Sequence, residues 1–427
     1  MDQKIKLSKF VTWWLLDGKT YIYSTRSGAI VKVDSETERL LKTVQSSAEI
    51  ADEAQRKYLL EKAILVPEQI DEFGTFRFFS MAEQYNPTPS KIAYTIAVTE
   101  SCNYRCKYCF ESTTMHGREM EDGTKSAIIS YLKQAVETSD GLKELRITWF
   151  GGEPLLRAKT IEDISIPIIE CCENNNVEYS ASVITNGSLV NESILDLFNR
   201  IKVSFVQITL DGDLTDSCSY KGCSASSFEA SISAILSIAK TTRIHVRLNT
   251  DGENIQSIIR IVKRIHDDAK CQNVEHNIRF YLACIDTPDE NMMPQWFVSA
   301  HKTFLEFLSS EGMQEDILLA LPKARYTSCG AVTNAFSFIG TDGRIVKCEH
   351  FLGRDDKTVG TVFDGLWHNS KEAEFRDVDV REDCVACSYY PICRQGCLAK
   401  RLEEHRSMNC DLFKENIKNI LSAYLAK

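Results

Sequence analysis

Between Lys91 and about Ala320 the sequence alternates short apolar runs with amphipathic stretches, and this alternation limits the available folds more than any other feature. Strand-prone runs occur at Ile92–Val98, Leu145–Phe150, Tyr179–Thr185, Phe205–Leu210, Ile244–Asn249 and Ile278–Ala283. The spacing predicts helices between them at Gly123–Ser139, Thr160–Asn174, Asn191–Asn199, Phe228–Ala239 and Ile255–Asp268. Strand–helix–strand units of this kind cross over right-handed and yield a parallel sheet with helices outside. Six such strands make an α/β fold with an open or partial (β/α)6 barrel. Chemistry on parallel sheets gathers at the C-terminal ends of the strands.

The distribution of the 16 cysteines divides the 427 residues into three parts. None precedes Cys102, three fall within Cys102–Cys109, and seven crowd into Cys329–Cys410. The expected domains are residues 1–88, 89–322 and 323–427. In the first, Phe10–Leu16 and Thr20–Ser24 flank Asp17-Gly18, a hairpin signal. Ser35-Glu36-Thr37-Glu38 has the capping-box form, with Leu40, Leu41 and Val44 following at helical spacing. A second helix over Ala54–Lys62, a strand over Ile64–Val66 and a linker at Pro87–Ser90 complete this small α+β unit. The third part has few periodic segments before a helix at Glu415–Leu425, so bound metal is its natural staple. A net charge of −10 argues against nucleic acid as a partner. No run reaches the roughly 18 apolar residues of a membrane span, and MDQKIKLSKF lacks a signal-peptide core. The expected location is the cytoplasm, where abundant thiols point to metal binding or catalysis before disulfides.

The first strand is followed by Cys102, Cys106 and Cys109 in C-x3-C-x2-C spacing. Three soft thiolates in so tight a loop suit three irons of one cubane and leave the fourth iron open. Taken bottom-up, a zinc or redox C-x-x-C site is the alternative. The loop, including the aromatic Tyr108, resembles the signature of the radical S-adenosylmethionine (SAM) superfamily. That resemblance implies an open iron chelating SAM, and a 5′-deoxyadenosyl radical that abstracts hydrogen from a substrate. Gly151-Gly152-Glu153-Pro154, by itself only a turn, resembles the family's GGE element, whose carboxylate is expected to meet the SAM ammonium. Thr185-Asn186 and Thr209 resemble positions lining the SAM and substrate cavity. Asp211 is the expected catalytic residue, as a base or a holder of a substrate amide, against a reading as a simple turn aspartate. Arg247 is expected either to clamp a carboxylate or to sit on the surface.

Downstream, Cys384, Cys387, Cys393, Cys397 and Cys410 follow Cys329 and Cys348. Zinc ribbons are one reading of such knuckles. The spacing resembles the SPASM extension of radical SAM enzymes, which carries two auxiliary clusters. The resemblance implies one cluster on Cys384, Cys387, Cys393 and Cys410, and another on Cys329, Cys348 and Cys397. No cysteine follows shortly after Cys329, so the second cluster has an open iron or borrows a ligand such as Cys284. Three [4Fe–4S] clusters and SAM are therefore the expected cofactors.

SPASM-type enzymes act on peptides or proteins. The first 88 residues resemble the winged-helix-like domain that captures leader peptides by β-augmentation. The implied function is a maturase forming a thioether or carbon–carbon crosslink in a ribosomally made precursor peptide, served by an electron donor such as flavodoxin or ferredoxin. Formylglycine formation, as in anaerobic sulfatase maturation, is the rival, and a non-catalytic zinc protein the remote one. Cys218 and Cys223, flanking Lys221-Gly222, are assigned a peptide-handling or redox role or none.

Overall fold

The computed structural model describes residues 4–43, 52–110, 117–285, 291–376 and 380–426. Val44, the last apolar position of the first predicted helix, lies outside the described residues.

The N-terminal part opens with β1 (Ile5–Leu7), β2 (Val11–Leu16), β3 (Lys19–Ser24) and β4 (Ile30–Val33). Asp17 and Gly18 both take positive φ, at 50° and 69°. This is the turn that matches the twist of a two-residue hairpin, and β2, β3 and β4 form an antiparallel sheet. Helix α1 (Ser35–Thr43) follows, and its N-cap lies one residue before the expected one. Asp34, not Ser35, caps it by accepting from Thr37 N at 2.7 Å. Glu38 instead accepts from Thr20 Oγ1 at 2.7 Å, tying helix to sheet. Next come α2 (Glu53–Glu61) and β5 (Leu65–Pro67), which pairs with β1. Helix α3 (Glu72–Gln84) has no counterpart in the sequence reading.

The central part runs β6 (Lys91–Ala97), α4 (Asp122–Thr138), β7 (Glu144–Phe150), α5 (Ala158–Asn174), β8 (Glu178–Thr185) and α6 (Glu192–Arg200). It continues through β9 (Val203–Leu210), α7 (Leu214–Lys221), α8 (Ala225–Ile238), β10 (Arg243–Thr250), α9 (Ile255–Gln272) and β11 (Ile278–Cys284). Strands β6 to β11 lie side by side in chain order, each parallel to the next. Side chains alternate across a strand, and here the two faces differ in kind. One face carries Ile96, Ile147, Trp149, Val183, Ile208 and Val246, all buried against the helices. The other carries Thr95, Thr148, Ser182, Gln207, Arg247 and Tyr281, all half-buried. The inside of the partial barrel is therefore polar.

The chain then forms α10 (Gln295–Ser310), α11 (Gln314–Ala320), β12 (Phe336–Ile339), β13 (Arg344–Val346), β14 (Gly360–Thr361) and β15 (Gly365–Leu366). It ends in α12 (Ser370–Glu374), α13 (Glu382–Val385), α14 (Tyr390–Cys393), α15 (Leu398–Glu403) and α16 (Cys410–Leu425). Strand β12 pairs in parallel with β6, so the ten-stranded sheet runs from β11 through the barrel into the cysteine-rich part. Phe338 on β12 meets Phe150 on β7 edge to face at 5.5 Å between ring centroids. Helix α16 folds back on α10 and α11. Among the described residues no helix is long and apolar enough to cross a membrane.

The α10–α16 contact encloses His301, whose Nδ1 lies 2.8 Å from Asn416 Oδ1. Burial lowers its pKa from 6.5 to about 4. Between those values the unfolded chain takes up a proton that the folded chain resists, so stability falls as pH falls. Acidification from pH 7 to pH 5 should remove ~2 kcal/mol through this residue. The H301Q variant should lose that part of the slope in urea unfolding at the two pH values.

Candidate functional site

The loop after β6 is held from two sides. On one side is the turn after β7. Gly151 has φ +126°, and a Cβ there would stand 2.3 Å from Thr99 O. A Cβ on Gly152 would stand 2.5 Å from Ser101 O. Only glycine allows this approach, which lets Gly152 N donate to Thr99 O at 3.0 Å and Glu153 N to Ser101 O at 2.9 Å. On the other side is the last turn of α7. Lys221 O accepts from Arg105 N, and Tyr220 O from Lys107 N, both at 2.9 Å. Cys102, Cys106 and Cys109 lie between these grips, half-buried and close enough to influence one another's ionisation. Burial pushes the Cys106 thiol up to about 12, so a metal must displace its proton.

Glu153 is fully buried. Its Oε1 accepts from Leu155 N at 3.0 Å and Thr185 Oγ1 at 2.7 Å, and its Oε2 from Asn186 N at 2.8 Å. Burial raises its pKa against these donors. The side chain thus links the ends of β7 and β8. Asn186 Nδ2 continues the chain of contacts to Asn103 Oδ1, inside the cysteine loop, at 2.8 Å.

Asp211, at the end of β9, is also fully buried. Tyr108, the aromatic beside Cys109, donates its hydroxyl hydrogen to Asp211 Oδ2 at 2.5 Å. Asn249 Nδ2 donates to Tyr108 Oη at 3.0 Å, and Arg247 Nε to Asn249 Oδ1 at 2.9 Å. Asp211 Oδ1 has no hydrogen-bond partner among the described residues, and Lys221 Nζ stands 4.0 Å away. Burial raises the carboxyl's pKa, while Lys221 and the Tyr108 hydroxyl oppose the rise. Lys221 is itself buried and donates to the carbonyl of Thr209. Arg247 and Thr209 sit side by side on the polar inner face. The structure therefore gathers Tyr108, Asp211, Thr209 and Arg247 into one network, and Glu153, Thr185 and Asn186 into another. Lys221 and Asn249 belong to the first network without having been singled out. The only sequence signal for them was a lysine before Gly222 and an asparagine at a strand end.

The second cysteine group lies in the C-terminal part. Cys384, Cys387, Cys393 and Cys410 together line a cavity of about 230 Å³, which Arg381, Arg401, Arg406 and Lys414 also border. After Cys393, residues Arg394, Gln395 and Gly396 take positive φ in succession. In this tight turn Gly396 N donates to the Cys393 carbonyl at 2.9 Å, and the Gln395 N–H faces the Cys393 thiol and opposes the rise in its pKa. Burial raises Cys384 and Cys393 to about 11. Cys329, Cys348 and Cys397 form a separate set whose charges reach one another. Cys284 ends β11, next to Thr250 on β10. Among the described residues, no three His, Cys, Asp or Glu side chains converge as one metal ion requires.

An unforeseen contact joins the two ends of the chain. Lys9 Nζ donates to Val385 O at 2.7 Å, and Thr25 Oγ1 to Ser388 O at 2.5 Å. Thr12 Oγ1 and Tyr389 Oη are 3.0 Å apart. Phe10, Phe73 and Phe76 bury Tyr390, over which Arg394 stacks at 4.6 Å. The N-terminal part thus packs against the Cys384–Tyr390 segment, while the cavity itself is lined by residues between Arg381 and Lys414.

Residues 96–267 match the model of the radical SAM superfamily. A cysteine-type anaerobic sulfatase-maturating enzyme of Clostridium novyi is 24% identical over 362 residues, covering 77% of this chain and 94% of that protein. The radical SAM cyclopropyl synthase TigE of Paramaledivibacter caminithermalis is 24% identical over 232 residues, 48% of each chain. Among solved structures, anSMEcpe with bound AdoMet and Cp18Cys peptide superposes with TM-score 0.59 at 19% identity, covering 78% of this chain and 98% of that one. Streptococcus suis SuiB bound to S-adenosylmethionine gives TM-score 0.54 at 14% identity, covering 95% of this chain and 99% of that one.

Replacing Tyr108 by Phe strips Asp211 of a buried donor. We expect a loss of about 1–3 kcal/mol in urea unfolding. The same change in a D211N background should cost less, because the two side chains are coupled.

Proposed function

Starting from a chain that carries a radical SAM domain across residues 96–267, we propose that this protein is a maturase installing a thioether or carbon–carbon crosslink in a ribosomally made precursor peptide. The observation that carries this reading is the extent of the shared fold. The SuiB likeness spans 95% of the chain, whereas the sulfatase-maturase likeness spans 78%. A SuiB structure is described as bound to precursor peptide SuiA, with TM-score 0.51. The first 88 residues would hold a leader, with β4 as the edge strand that an extended peptide extends.

The donor sets suit the implied cofactors. Cys102, Cys106 and Cys109 would hold the SAM-binding [4Fe–4S] cluster; Cys384, Cys387, Cys393 and Cys410 would hold one auxiliary cluster. Cys329, Cys348 and Cys397 would hold the other, with a position left for a substrate thiolate or Cys284. SAM on a reduced cluster supplies hydrogen-atom-abstracting chemistry. The chain's own residues supply position and charge. Thr185, Asn186 and the Gly151–Glu153 turn fix one side of the cysteine loop, and the polar inner face offers Thr209 and Arg247 to a bound ligand. Asp211 would act from beneath, through Tyr108 or as a proton acceptor at its unpartnered Oδ1. Basic side chains around the Cys384–Cys410 cavity would offset the negative charge of a thiolate-bound cluster. A flavodoxin- or ferredoxin-type protein would deliver electrons.

Formylglycine formation is the second reading, favoured by the alignment to 94% of the Clostridium novyi enzyme. Co-expression with a cysteine-containing precursor peptide separates them by mass spectrometry. Either crosslink removes two hydrogens, a thioether blocking the cysteine to alkylation and a carbon–carbon bond leaving it reactive; formylglycine replaces the thiol by an aldehyde; an unchanged peptide argues against both. Deleting residues 1–88 is not a clean test of leader binding, because it also exposes Tyr390 and the Cys384–Cys387 turn. We expect the intact chain to hold about 12 irons and the deletion variant about 8, read by iron assay.

A further inference from the structure

Cys218 and Cys223 have no part in the scheme above, yet their sulfurs lie 3.5 Å apart. Both are half-buried, and they bracket the segment that grips the cysteine loop. Cys218 sits in α7, whose last turn closes when Gly222 N donates to Cys218 O at 2.9 Å. Gly222 is left-handed at φ +63°, and a Cβ on it would touch Arg105 at 3.6 Å. The carbonyls of Tyr220 and Lys221, between the two cysteines, are those that hold Lys107 N and Arg105 N. Lys221 Nζ reaches the carbonyl of Thr209 and stands 4.0 Å from Asp211.

The geometry points to Cys218 and Cys223 as a reversible dithiol–disulfide pair that locks the α7 clamp on the Cys102–Cys109 loop. A disulfide needs about 2.05 Å between sulfurs, so a small side-chain rotation across the flexible Gly222 turn closes the pair. The oxidant is a low-molecular-weight disulfide. Cys218 attacks it, releasing one small thiol and leaving a mixed disulfide. Cys223 then attacks Cys218 Sγ and releases the second small thiol. Two protein thiols are oxidised by two electrons, one S–S bond is exchanged for another, and the two protons go to the released thiols. Burial and the neighbouring Cys218 push Cys223 up to about 11, so little of it is thiolate near neutral pH and the second, intramolecular step relies on the closeness of the two sulfurs. The crosslink needs neither SAM nor a peptide, so it stands or falls separately from the proposed maturation activity.

The test uses the iron-loaded protein under anaerobic conditions, equilibrated with mixtures of reduced and oxidised glutathione and then alkylated and digested. We expect a Cys218–Cys223 crosslinked peptide that rises with the oxidised fraction and disappears with dithiothreitol. Amide exchange at Arg105 and Lys107 should slow about tenfold as the crosslink forms, and the C218S variant should lose both responses. Two cysteines alkylated throughout, or glutathione adducts that never resolve into the crosslink, would overturn the pair. A crosslink that leaves exchange at Arg105 and Lys107 unchanged would overturn the clamp.

Discussion

The backbone of Gly151 and Gly152 runs so close to the carbonyls of Thr99 and Ser101 that no side chain fits between them. Much of the site depends on that approach. It places two N–H groups of the β7 turn on the loop after β6 and so fixes the entry to the cysteine loop. It also carries Glu153 into a fully buried position, from which the carboxylate organises the end of β8. An alanine at either glycine would push the turn away. The cost would appear at Thr185, Asn186 and Asn103 as well as at the turn itself.

A second constraint comes from burying charge in pairs. Asp211 and Lys221 lie 4.0 Å apart with almost no exposure, and a carboxylate or ammonium so placed is tolerable only with partners. Tyr108 supplies one such partner, which anchors the residue beside Cys109 to the C-terminal end of β9. The expected proton acceptor and the loop aromatic are therefore parts of one network. At the other cysteine site, fixed N–H groups and arginines do related work. Thiolates gathered around one cavity repel one another, and Arg381, Arg401 and the Gln395–Gly396 turn oppose that repulsion.

The barrel was legible in the sequence because each strand combines a β-branched run with a helix-period partner. Its strand limits, such as Tyr179–Thr185 against the observed Glu178–Thr185, differ by one or two residues. The clustered thiols were legible for a different reason: their spacing is local. What local pattern could not show was distant pairing. Strand β12 is four residues long and owes its place to β6, more than two hundred residues earlier. Helix α3 carries Phe73 and Phe76 toward Tyr390, a contact that no periodicity announces. Lys221 and Asn249 look like surface residues in sequence, and only their mutual neighbours make burial affordable. The N-terminal part, readable as a separate small domain, turns out to cover the Cys384–Cys387 turn.

The central claim is that Cys102, Cys106 and Cys109 hold a [4Fe–4S] cluster with one iron left open for SAM. It is tested most directly in a variant whose seven C-terminal cysteines, Cys329 to Cys410, are replaced by alanine. Electron paramagnetic resonance of the reduced, iron-loaded variant should show a single [4Fe–4S] signal that shifts when SAM is added. A signal indifferent to SAM, or one bound zinc and no iron, would contradict it.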